Sequence, residues 1–147
     1  MKVLAAVLVP IGLLAGSSAC SAQQGARPTT VRVSEAWARV QGDITGMSAG
    51  YFTIQNTGTV PVVVRGVTCR GIRMATIHET RVENNMARMA PRDSVVTQAG
   101  GQVVMRPGGV HVMLMGLERP LNVGDKLSCV LHTSAGDVPA EAAVRAS

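Results

Sequence analysis

An all-β fold in a single domain is what this sequence predicts, on three observations. Short stretches rich in β-branched and apolar residues recur along the chain. Turn-forming clusters separate them at regular intervals, among them Asn56-Thr57-Gly58, Pro107-Gly108-Gly109 and Ser134-Ala135-Gly136-Asp137. No segment carries the 3.6-residue apolar period of a convincing amphipathic helix. Many short strands at such spacing imply a sandwich or barrel. The 147 residues, less a leader, suit one core.

The elements follow in order. Lys2, the apolar run Val3 to Leu14, and the small residues from Ala15 to Ala22 have the layout of a secretory signal, so residues 1–22 are expected to be a signal peptide. The apolar run is too short for the ~20 residues of a membrane span. Cys20 after small residues resembles a lipoprotein cysteine, although Ser17 stands where a Leu is usual. Cleavage before Cys20 with lipid attachment, and ordinary cleavage after Ala19 or Ala22, both fit. Polar residues 23–30 read as a linker, and residues 31–147 as the domain.

Within it the expected strands are Val31 to Arg39, Gly50 to Gln55, Val60 to Thr68, Ile72 to His78, Met86 to Ala90, Gln102 to Arg106, Val110 to Met115, Lys126 to Thr133 and Val138 to Val144. Phe52 and Ile54 alternate with Tyr51, Thr53 and Gln55, which predicts one buried and one wetter face; Leu127, Cys129 and Leu131 alternate likewise. Trp37 reads as a core or corner aromatic. Met47, Met74 and Met105 read as packing residues.

Without Lys2 the formal charge falls from +5 to +4, and the arginines are dispersed from Arg27 to Arg145. With Trp37, Tyr51 and Phe52 as the only aromatics, no base-stacking surface can form, which argues against a nucleic-acid role. No nucleophile–base or carboxylate pair points to an enzyme. Cys69 and Cys129 form an even pair for an oxidising compartment, either as a disulfide or as two buried thiols.

The chemistry concentrates in His78, Met89, His111 and Met113. On a strand His111 and Met113 share a face, while Val112 and Leu114 take the opposite, apolar one. A hairpin would bring His78 and Met89 together, with residues 81–85 as its turn. Thioethers are soft, neutral donors that select Cu(I), and imidazole adds a donor whose binding depends on pH. Zinc prefers thiolate or carboxylate, and calcium or magnesium prefers oxygen. Met86 and Met115 are the alternative thioethers, the first on the same strand as Met89 and the second on the face of Met113.

The spacing His-x10-Met-x21-His-x-Met, with Pro107-Gly108-Gly109 before it and Met113-Leu114-Met115-Gly116-Leu117 at its end, resembles the PCu(A)C periplasmic copper chaperones. The likeness extends to Ala36-Trp37-Ala38-Arg39 and to the run from Gly50 to Gly58. The resemblance implies a cupredoxin-like Greek-key β-sandwich. It also implies an extracytoplasmic monomer that carries Cu(I) to cytochrome c oxidase subunit II or to a Sco-type protein. Membrane attachment would come only through Cys20. Glu79 and Thr80 stand where family members often have a Met, and the sequence ends at Ser147 without the His- and Met-rich tail that some members use for Cu(II).

Three rival readings are a copper storage or resistance protein, a blue-copper electron carrier using Cys129 and His132, and a structural surface domain. The second lacks a Met after Cys129, and His132 reads as a solvent-facing strand residue.

Overall fold

The computed structural model describes residues 30–41 and 46–146, so the leader and most of the linker lie outside the described residues. Ten strands follow in chain order: β1 (Val31–Arg39), β2 (Met47–Asn56), β3 (Val62–Cys69), β4 (Ile72–Glu83), β5 (Met86–Pro91), β6 (Val95–Thr97), β7 (Gln102–Val104), β8 (Val110–Leu117), β9 (Lys126–Thr133) and β10 (Gly136–Arg145). There is no helix among the described residues, and the all-β expectation holds.

The strands hydrogen-bond in the order β5-β4-β8-β2-β1-β10-β9-β3-β6, with β7 on β2. β1 joins the two halves of the ladder, pairing antiparallel with β2 and parallel with β10. An irregularity between Ser34 and Trp37, with Glu35 at φ 47°, bends it there. β2 is shared along its length: its first half pairs with β8 and its second half with β7.

Apolar side chains of both halves meet in one core that includes Phe52, Ile54, Val64, Val112, Leu114 and Leu131. β9 keeps its predicted alternation, with Leu127, Cys129 and Leu131 buried. β2 does not. Tyr51 and Thr53 are buried along with Phe52 and Ile54, because its second face is also covered. The turn after β2 is held by Asn56, whose Nδ2 donates to Val60 O at 2.7 Å while its Oδ1 accepts from Gly58 N at 2.9 Å. Buried polar groups persist when paired in this way.

β4 runs to Glu83, five residues past the expected end at His78, and the turn contracts to Asn84-Asn85 at φ 50° and 64°. Two successive positive φ values mark the tight hairpin whose twist matches its strands, and Asn tolerates them. Cys69 and Cys129 stand directly opposite on β3 and β9 and form a disulfide.

Candidate metal centre

Three register pairs build the site. His78 on β4 lies directly opposite His111 on β8, and Thr76 lies opposite Met113. On the other edge of β4, Thr80 lies opposite Met89 of β5. Directly opposed residues share a sheet face, as do residues two apart. His78, Met89, His111 and Met113 therefore project from one face of the β5-β4-β8 ribbon. Behind them Ile77, Val112 and Leu114 are buried in the core, so the backbone under the site is fixed by packing.

The imidazole rings of His78 and His111 are 6.1 Å apart between centroids and inclined by 47°. At that separation both can offer a nitrogen to one ion at bond lengths near ~2.0 Å. His111 is only 5% exposed and oriented by the turn that precedes it. Its Nδ1–H donates to the carbonyl of Gly109 at 3.0 Å. A carbonyl only accepts, so Nδ1 carries the proton and Nε2 keeps its lone pair for a metal. The Gly109 carbonyl also accepts from Thr80 N at 3.1 Å, while Gly109 N donates to Arg106 O at 3.1 Å. The Pro107-Gly108-Gly109 turn is thus stitched to β4, and Gly108 sits at φ 75°, where glycine is favoured.

Tyr51 lies 6.4 Å from His111 between ring centroids and stacks on Trp37 at 4.2 Å; the Arg145 guanidinium covers the Trp37 ring at 4.2 Å. This aromatic backing was not foreseen from sequence, where Trp37 read as a core or corner aromatic. Pairing of Trp37 with Tyr51 on β1 and β2 creates it.

A hollow of about 360 Å³ opens over the face, lined by Met47, Tyr51, Met89, His111 and Met113 among others. His78 stands outside that lining, and its buried Nδ1 has no hydrogen-bond partner. Burial, and then the neighbouring His111, hold the His78 imidazole below its ordinary pKa and so keep it neutral. A neutral, unsatisfied nitrogen beside a second imidazole fits a metal ligand. Met113 is half-buried and Met89 is 59% exposed.

Among the described residues no three His, Cys, Asp or Glu side chains gather into a metal-holding group. Beyond the two histidines, the donors this face offers a metal are thioethers, which favour soft ions. Met86 is removed as an alternative donor. It lies three residues from Met89, hence on the opposite face of β5, and pairs with Glu83. Met115 does share the face of Met113, one row farther from the histidines.

The blue-copper reading fails on its thiolate: Cys129 is bound to Cys69. His132 is the solvent-facing strand residue expected: its side chain is 40% exposed on β9, where it contacts Asp137 Oδ1 at 2.9 Å and Thr68 Oγ1 at 3.1 Å.

Comparison with known proteins places the chain in a family and a fold. Residues 31–144 match the family described as "Putative lipoprotein LpqE-like". The chain belongs to the LpqE-like family. It is 36% identical over 134 residues to "Putative lipoprotein Lxx21020" of Leifsonia xyli subsp. xyli, covering 90% of this chain and 80% of that protein. A copper-bound PCuAC domain from PmoF2 superposes with a TM-score of 0.68 at 24% identity, over 80% of this chain and 94% of the domain. The Cu(I) form of DR1885 from Deinococcus radiodurans gives 0.59 at 26% identity, over 86% of this chain and 85% of that one. The LpqE-like chain thus has the cupredoxin-like β fold of PCuAC domains, as its motif led us to expect.

Proposed function

We propose that this LpqE-like protein is an extracytoplasmic copper chaperone. It holds one Cu(I) on His78, Met89, His111 and Met113 and passes it to a thiolate acceptor. The observation that carries the reading is the direct opposition of His78 and His111 on a face that also bears two thioethers. Its support from other proteins is that PmoF2 and DR1885 domains of the same fold are known in copper-bound and Cu(I) forms.

The ion is cargo, and the donor set suits cargo. Two thioethers and two neutral imidazoles leave the +1 charge uncompensated, so the site binds more weakly than one built of thiolates. Cu(I) would therefore run downhill to cysteine acceptors such as cytochrome c oxidase subunit II or a Sco-type protein. Transfer proceeds by exchange of neutral ligands for thiolates, with copper remaining Cu(I). The family and the Leifsonia relative both bear the name of lipoproteins, which supports attachment through Cys20. No helix among the described residues is long and apolar enough to cross a membrane.

The test is a Cu(I) titration of the purified protein under reducing conditions, with X-ray absorption to count neighbours. We expect one tightly held Cu(I) with mixed nitrogen and sulfur coordination; sulfur-free coordination would refute the site. Mixing the loaded protein with reduced apo-acceptor and measuring copper in each then tests delivery. Copper that stays wholly on the donor would favour storage.

A further inference from the structure

Two methionines read from sequence as packing residues are not buried. Met47 is 48% exposed and Met74 is 53% exposed, whereas Met105, read the same way, is 3% exposed and lies in the core. Met47 of β2 stands directly opposite Met115 of β8, and Met115 stands directly opposite Met74 of β4. The three thioethers form a single cross-strand row on three adjacent strands. It lies on the same face as Met113 and His111, since residues 111, 113 and 115 alternate with the buried Val112 and Leu114.

We propose that Met47, Met74 and Met115 form a second, weaker site for Cu(I), all thioether in character and adjacent to the first. Neighbouring strands lie about 4.8 Å apart, so each outer Met begins about 4.8 Å to one side of Met115. A side chain with three rotatable bonds can bring its sulfur over the central residue from that distance. Three neutral soft donors without nitrogen, oxygen or thiolate select Cu(I) and its soft monovalent analogue Ag(I) over zinc or calcium.

The backbone beneath the row is held in register. Gly116 and Leu117 both donate to the carbonyl of Gly46, at 2.8 and 3.3 Å, which fixes β8 just beyond Met115. Gly116 sits at φ 67°, and a Cβ there would meet Arg73 Cβ at 2.7 Å, so only glycine permits β4 and β8 to close at this level. Met47 also lines the hollow shared by Met89, His111 and Met113. Met115 lies two residues beyond Met113, about 7 Å along the strand. Cu(I) can then pass between the sites by exchanging imidazole for Met115 without changing oxidation state. This use of the second site rests on the copper reading above; its ligand chemistry does not.

The test uses full-length protein labelled with ¹³C at the methionine methyls and titrated with Ag(I), a redox-inert probe. The first equivalent should shift Met89 and Met113. A second should shift Met47, Met74 and Met115 together on one saturation curve. The M47L/M74L variant should lose the second event, taking the count from two Ag(I) to one, and retain the first. Three row methyls that do not move in excess Ag(I), or that move with unrelated midpoints, would overturn the proposal. So would a Met115 shift completed with the first equivalent, which would assign it to the first site. Movement of the row without Met89 and Met113 would support the second site while removing the first.

Discussion

The same device, a directly opposed cross-strand pair, is used in two regions with opposite outcomes. On β3 and β9 the pair is Cys69 and Cys129, both buried and joined by a bond. On β4 and β8 it is His78 and His111, facing each other without a bond and flanked by exposed Met89 and half-buried Met113. One pair spends its side-chain chemistry on holding the fold. The other keeps lone pairs available. The difference teaches why thioethers rather than thiols surround the histidines: in an oxidising space adjacent cysteines close on each other, whereas methionine sulfur remains a ligand.

The largest effect expected is on the cysteine side. The disulfide spans 60 residues, and replacing both cysteines with Ser should cost about 4 kcal/mol by the chain-entropy estimate. Urea unfolding of C69S/C129S measures it, and its Cu(I) affinity under native conditions should match that of the parent. A large loss of affinity in the still-folded variant would break the separation between the two regions. Next in size is His111→Ala. Disturbing a residue that merely orients a metal ligand costs about 10–100-fold, so removing the buried, backbone-oriented His111 itself should reach about 100-fold in Cu(I) affinity. Competition with a Cu(I) chelator reads it directly, and unchanged affinity would remove His111 from the site.

The sequence made much of this legible, for reasons that differ by element. β1 and β9 begin and end where alternation and turn residues put them. β6 was missed because three residues, Val95–Thr97, carry too little pattern to stand out. β4 outran its expected end at His78 because the polar run Glu79, Thr80 and Arg81 carries no apolar alternation to extend the strand. In fact Glu79 accepts from Arg81 at 2.8 Å and pairs with Arg92 at 3.3 Å along an exposed hairpin. The four candidate ligands were visible because two-residue periodicity fixes faces. The same periodicity says nothing about what covers a face, which is why Tyr51 proved buried while Met47 and Met74 proved exposed.

Methionines provide a finer test of the ligand face. Met86 and Met89 are both exposed on β5 but project from opposite sides. Met89→Leu should weaken Cu(I) binding by about 10-fold, the lower end of what disturbing a metal site costs, and Met86→Leu should leave it unchanged. Equal effects from the two substitutions would mean that the hairpin contributes by its apolar character and not by coordination.

The smallest effect concerns protons. Burial first, and the proximity of His111 second, lower the pKa of His78 in the folded protein. An unfolded chain titrates this imidazole near ~6.5. Between that value and the lower folded one, the unfolded state binds more protons, so the metal-free fold loses stability as pH falls through this window. Above it His78 contributes no such penalty; below it the loss is complete. For copper the sign is the same but the midpoint is lower. Proton competition at His78 begins only as pH approaches the depressed folded value, so that ligand stays available through neutral and mildly acidic pH. NMR titration of the His78 ring in the metal-free protein should give a midpoint below that of an ordinary imidazole. In His111→Ala the midpoint should move back toward ~6.5, since both burial and the facing ring are reduced. A midpoint unchanged by that substitution would mean that the two rings, although opposed in register, do not sense each other.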